Sequence, residues 1–380
     1  MPGPRVVKNV QALRGLAALL VIFAHLETVL PRIGLQPFGY GGVDIFFVIS
    51  GFIMVYTTAD RDVTPIYFMS DRIARIVPIY WIITLAVFGL VLLSPTLVQT
   101  TRADWGELAE SLAFIPFEKN HGLMQPILFV GWTLNYEMFF YLLFALGLAL
   151  PGKKAGPLAV ICCLVFLVVA GVVEHPRSVF GRFYTNSIVM DFALGVLIGL
   201  THTKIPLQAT VSSKVAAASL VVAGIILVLV LPLIFPDVST FPLGGLPACL
   251  IVGGALILER WGWVVQAAWC LVLGNVSYSI YLTHPFVTEA AQKTAAKIQP
   301  GAFESSLLIA GTTVAVCVVG ILVHRTLEQP LSTMARRLLK ARRLNPQMDR
   351  FIAPMDAMGQ GLPADVAHPT AKPRKALSGL

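Results

Sequence analysis

Residues 9–28 read NVQALRGLAALLVIFAHLET, a run apolar enough to cross a bilayer that nonetheless holds Arg14 and His25. In an α-helix, eleven residues at about 100° each turn through about 1100°, three full turns plus about 20°. Both side chains therefore lie on nearly one face, roughly 16 Å apart along the axis. Ionisable groups inside a span are costly and face a protein interior or a watery cavity, so each is a functional candidate. The plain alternative is a snorkelling arginine and a packed histidine.

Working outward, the chain of 380 residues is 56% hydrophobic and 13% charged, with a mean hydropathy of +0.78. That excludes an ordinary soluble domain. Apolar runs predict an all-α polytopic membrane protein with about ten transmembrane helices, near 10–30, 42–58, 76–98, 128–150, 157–173, 187–201, 214–235, 244–258, 270–290 and 305–327. On that topology sixteen Lys and Arg residues fall on the side of the N-terminus and seven on the other. N- and C-termini are therefore both expected in the cytoplasm. No small-x-small cleavage site follows the first span before Pro31, which is read as a retained helix rather than a signal peptide. The net charge of +8 is concentrated in the cytoplasmic loops and tail, so topology accounts for it without nucleic acid. Cys162, Cys163, Cys249, Cys270 and Cys317 all sit in apolar runs, with neither a disulfide framework nor metal-type spacing, and no metal is expected. Residues 1–332 are expected to form the transmembrane domain and 333–380 a basic cytoplasmic tail. In that tail STMARRLLKARR suits an anionic leaflet, and the chain after Asn345 is expected to be disordered.

Further polar groups recur at spaced positions. In GGVDIFFVISGF, 41–52, Asp44 lies one turn inside the second span, where it either reaches His25 or caps its own helix. YFMSDRIARIVPIYW, 67–81, reads as a short helix with Arg72 and Arg75 one turn apart, a natural anion site or ordinary membrane anchoring. TRADWGELAESLAFIPF, 101–117, reads as an amphipathic surface helix that either covers the outer mouth of a site or is simply solvated. In GWTLNYEMFFYLLF, 131–144, Thr133, Glu137 and Tyr141 are four apart and share a face. In LGNVSYSIYLTHPF, 273–286, Ser277, Tyr281 and His284 share one face and Asn275 and Tyr278 another, with Pro285 as a candidate helix end. Asp191 is embedded without an evident task, and Glu328 is expected to pair with an arginine.

Sorted by depth, Arg14, Arg72 and Arg75 fall toward the cytoplasm, and His25, Asp44, Glu137, Tyr281 and His284 toward the outside. A ligand touching both layers has a polyanionic head and a reactive group about 15 Å deeper. Acyl-CoA has that shape, and a histidine is the usual general base for a hydroxyl proton. The expected chemistry is acyl transfer to an alcohol.

RGLAALLVIFAH, GGVDIFFVISGF, the RIAR pair, WTLNYE, SYSIYLTHP and LEQP occur in that order from residue 9 to about 332. Together they resemble the acyltransferase 3 family of integral membrane acyltransferases, most of all the branch that acetylates exopolysaccharides. The resemblance implies about ten spans in the bacterial inner membrane, an acyl-CoA donor, most simply acetyl-CoA, and a polysaccharide or lipid-linked sugar acceptor. Arg14 and His25 match the family's Arg-x10-His pair, Arg72 and Arg75 its cytoplasmic arginines, and Glu137 its fourth-span acid. Gln329 departs from the pattern, where a basic residue is expected before the proline. The expected roles are His25 as general base oriented by Asp44, Glu137 in acid–base or acceptor-orienting work, and Tyr281 or His284 as oxyanion donors. Arg14, Arg72 and Arg75 would hold the CoA phosphates. A covalent acyl intermediate is the alternative to direct transfer. Acylation of a lipid or small molecule, succinyl transfer, a transporter and a non-catalytic assembly scaffold are rivals; the paired interrupted helices of a transporter are missing from the sequence.

Overall fold

Peptide groups in a bilayer have no water to bond, so long apolar runs close their hydrogen bonds internally as helices. The computed structural model describes residues 6–36, 38–59, 61–94, 102–119, 122–202, 210–235 and 243–341, and the regular structure among them is all helical. In chain order the helices are α1 (Lys8–Ala24), α2 (Gly41–Thr58), α3 (Pro65–Leu93), α4 (Trp105–Leu112), α5 (Trp132–Leu148), α6 (Ala155–Glu174) and α7 (Val179–Tyr184). There follow α8 (Val189–Thr201), α9 (Val211–Ile234), α10 (Gly245–Arg260), α11 (Ala268–Ile298), α12 (Ala302–Val323) and α13 (Gln329–Ala341). Tight 3-10 turns occur at Leu30–Ile33 and Phe129–Gly131, and a π turn at His324–Glu328.

Helices stand at all ten expected positions: α1, α2, α3, α5, α6 and α8 to α12. Among the described residues, seven stretches are long and apolar enough to cross a membrane. The three expected spans outside that set are α1 and α10, at 17 and 16 residues, and α11, which carries a row of polar side chains.

Two prolines, Pro78 and Pro285, sit inside helices. The separate short helix expected over 67–81 is instead the first half of the 29-residue α3, which continues through Pro78. Pro285 does not end its helix either, because α11 runs for 31 residues. A proline forfeits one backbone N–H and crowds the preceding turn. In a packed membrane bundle other groups fill the freed carbonyl. The expected tail begins as helix, with α13 lying along α3 and Arg336 Nε 3.3 Å from Asp71 Oδ1. Residues 342–380, and with them the expected disorder, lie outside the described residues.

The middle of the bundle is α2, 67% of which is buried, against 17% for α9 and 22% for α6. Small residues let neighbouring backbones touch. At the α2–α8 crossing a Cβ on Gly195 would lie 2.1 Å from the Val48 carbonyl oxygen, and at the α1–α11 crossing one on Gly274 would lie 2.0 Å from that of Gln11. Gly274→Leu is therefore expected to force α11 off α1 and move the purified protein from a sharp gel-filtration peak to aggregate. Gly253→Leu is the control, since a Cβ there meets nothing within 4 Å.

The surface helix expected in the loop after α3 is α4, capped by the Asp104 carboxylate on Glu107 N at 2.9 Å. It covers the end of α3, with Tyr80 and Trp81 donating to the carbonyls of Ser111 and Leu112 at 3.2 and 2.9 Å. Lys119, in the following loop, donates to the Pro126 carbonyl at 2.9 Å, and burial pushes its ammonium down to about 8.

Candidate active site

The polar side chains come from α1, α2, α3, α5 and α11 and from the π turn at His324–Glu328. At one end His25 terminates α1. There its own N–H turns to the Ile22 carbonyl at 3.1 Å, leaving the Val21 carbonyl without the helical partner one turn on. His25 Nδ1 fills it at 2.9 Å. A carbonyl only accepts, so Nδ1 carries the hydrogen and Nε2 keeps its lone pair. The imidazole lies 5.0 Å, ring centre to ring centre, from His284 of α11 and 5.4 Å from Phe129. Gln292, also on α11, clamps the turn, its amide donating to the His25 carbonyl at 3.1 Å and accepting from Thr28 N at 3.2 Å.

One turn back along α11, the Tyr281 hydroxyl meets Thr133 Oγ1 of α5 at 2.7 Å and the Val130 carbonyl at 3.0 Å. Glu137, the next turn of α5, takes hydrogen bonds from the hydroxyls of Tyr141 and Ser50, the latter at 3.2 Å. Arg14 and Arg75 both have Glu137, Glu328 and Tyr141 as electrostatic neighbours. Arg72, 8% exposed, stacks its guanidinium over Phe68 and Tyr141 at 5.4 and 5.8 Å. Glu328, presented by the π turn, accepts from Ser279 Oγ at 2.5 Å and His324 Nδ1 at 2.8 Å. Gln11 ties Arg14 to α11, lying 3.4 Å from its Nη1 and donating to Asn275 at 2.5 Å.

Three expectations change. Asp44 does not orient His25: among the described residues no hydrogen bond joins them, and its carboxyl interacts with that of Asp191 and backs onto Gly244. The α2–α8 crossing brings those two acids together, and the helix end, not a carboxylate, sets the His25 tautomer. Glu137 sits among the arginines rather than beside His25. The 3-10 turn at Phe129–Gly131 holds the start of α5 near Tyr281, so Thr133 takes the histidine end and Glu137 lies a turn beyond. Tyr281 and His284 are in place, but not as free donors. The tyrosine hydroxyl is engaged with Val130 and Thr133, and His284 bonds through Nδ1 to the Tyr281 carbonyl at 2.7 Å.

The expected face of Thr133, Glu137 and Tyr141 does exist and runs between the two ends. Glu328, expected to pair with an arginine, bonds instead to His324 and Ser279, with Arg14 and Arg75 as electrostatic neighbours. Gln292 went unnoticed because the helix was expected to end by about residue 290, and Gln11 although it stands one turn before Arg14 in the opening stretch.

A sequence profile described as "Acyltransferase domain", that of acyltransferase 3, matches residues 7–325, which include every candidate residue from Arg14 to His284. The chain belongs to the acyltransferase 3 family. This acyltransferase is 37% identical over 305 residues to the exopolysaccharide production protein ExoZ of Rhizobium meliloti, covering 78% of this chain and 91% of that protein. It is 25% identical over 399 residues to the acyltransferase MdmB of Streptomyces mycarofaciens, covering 90% and 95%. With the O-acetyltransferase OatA of Staphylococcus aureus it shares 24% over 327 residues, which is 75% of this chain and 51% of OatA. No solved structure matches the chain.

Proposed function

We propose that this acyltransferase moves an acetyl group from acetyl-CoA to a hydroxyl of an exopolysaccharide or a lipid-linked glycan precursor. In this proposal ten helices cross the bacterial inner membrane, both termini lie in the cytoplasm, and the donor enters from the arginine side. The observation that supports it best is a cluster of three arginines, Arg14 of α1 with Arg72 and Arg75 of α3, toward one end of α1 and the His25 imidazole at its other end. Similarity to an exopolysaccharide production protein over 91% of that protein's length supports the acceptor class.

Arg14, Arg72 and Arg75 hold the phosphates of CoA, and their guanidinium forks match phosphate oxygens better than ammonium groups would. The pantetheine arm runs along the face of Thr133, Glu137 and Tyr141, so the thioester lies at His25. The sugar hydroxyl oxygen attacks the thioester carbon while its proton passes to His25 Nε2. As the tetrahedral adduct collapses the C–S bond breaks, and the departing sulfur takes the proton back from His25. The products are the sugar ester and CoA thiol, with the imidazole unchanged.

Mass spectrometry of surface glycan from cells with and without the gene tests this directly. An acetyl-sized difference is expected. A succinyl-sized one replaces the donor, and identical glycans in the two strains would sink the assignment.

A further inference from the structure

Both imidazoles at the His25 end are held by carbonyls that their own helices release. For His25 the release comes from the end of α1. For His284 it comes from the next residue. In a continuous α-helix the N–H of residue 285 would bond the carbonyl of residue 281, four positions back. Residue 285 is proline and has no N–H, yet α11 continues through it. The Tyr281 carbonyl is taken instead by His284 Nδ1 at 2.7 Å. Since that oxygen only accepts, the hydrogen of His284 sits on Nδ1 and its Nε2 bears a lone pair. That Nε2 is fully buried and has no hydrogen-bond partner. Against the ring stands His25, at 5.0 Å between centres and 61° between planes.

A buried acceptor without a donor is expensive. The cost has a purpose if a positive charge develops beside it. When His25 takes the hydroxyl proton it becomes an imidazolium, and a neighbouring ring with an outward lone pair steadies that charge. We propose that Pro285 sets the hydrogen position of the imidazole pair, and that His284, kept as an acceptor at Nε2, is the positioning residue that steadies the imidazolium formed on His25. The proposal rests on the assignment of His25 as the base. In the transfer step the proton travels from hydroxyl to His25 Nε2 and on to sulfur; His284 neither gains nor loses one.

The test uses the full-length protein in lipid nanodiscs, with acetyl-CoA as donor and the host's extracellular polysaccharide as acceptor. Pro285→Ala restores the backbone N–H, which competes for the Tyr281 carbonyl and frees His284 Nδ1. Its kcat is expected to fall about tenfold, with KM for acetyl-CoA within about twofold and a thermal midpoint equal or higher, because alanine suits a helix better. His284→Leu is expected to lose about as much, and His284→Gln, which returns an acceptor near the Nε2 position, to recover most of it. An unchanged kcat in Pro285→Ala overturns the proposal, as do equal rates for the leucine and glutamine variants. A thermal midpoint that falls together with kcat in Pro285→Ala also overturns it, by making the proline structural. Should His25→Ala retain turnover, the base assignment falls and this proposal with it. Should His25→Ala be inactive while Pro285→Ala and His284→Leu remain fully active, only the present inference fails.

Discussion

His25→Ala is expected to lower acetyl transfer about a thousandfold while acetyl-CoA stays bound. The size follows from the role: a positioned general base contributes roughly 10²–10⁴ to the rate. Among the described residues His284 is the imidazole that packs against His25, and its Nε2 is buried without a hydrogen-bond partner. Binding should survive because the ring neighbours of His25 among the described residues are His284 and Phe129, not an arginine. Isothermal titration of the variant with acetyl-CoA, beside a turnover assay, separates the two effects. Loss of CoA binding equal to that of Arg14→Ala would show that the two ends of α1 do not have separate tasks.

Arg14→Ala is expected to weaken acetyl-CoA binding by about 30-fold, with a smaller change in kcat at saturating donor. A charge-assisted hydrogen bond to phosphate contributes about 1.5–3 kcal/mol, which corresponds to roughly ten- to 150-fold. The cluster makes this arginine sensitive. Arg14 and Arg75 share Glu137 and Glu328, so removing one of the two cations leaves two carboxylates facing the other, and the phosphates meet a less positive site. Arg14→Lys should restore only part of the affinity, since an ammonium lacks the bidentate fork. Affinity equal to wild type in Arg14→Ala would place the phosphates elsewhere, with Arg72 and the α13 side of α3 the next region to probe.

Much of the site was legible because helical periodicity is a property of one chain segment. Thr133, Glu137 and Tyr141 share a face of α5 because they stand four apart on one continuous helix, while Arg14 lies within α1 and His25 at its C-terminal cap. Depth was less legible. Counting from an apolar run puts Glu137 at the histidine end, whereas α5 begins only after the 3-10 turn at Phe129–Gly131 and Glu137 lies with the arginines. Pro285 shows the same limit. A proline reads as a helix stop, and only a neighbouring side chain that fills the freed carbonyl lets the helix continue.

The amino-acid sequence by itself determined a helical membrane protein, the positions of the helices at the ten expected sites, and the polar residues toward the two ends of α1. Those follow from the cost of bare peptide groups in lipid and from 3.6 residues per turn, both local matters. Only the tertiary structure decided which groups meet across helices. Asp44 joins Asp191 because glycines at the α2–α8 crossing let the backbones touch. Gln292 reaches the carbonyl of His25 because α11 lies along α1 beyond the point where its apolar run stops. Such partners are fixed by close packing between segments far apart in the chain, where periodicity within one helix carries no information about its neighbour.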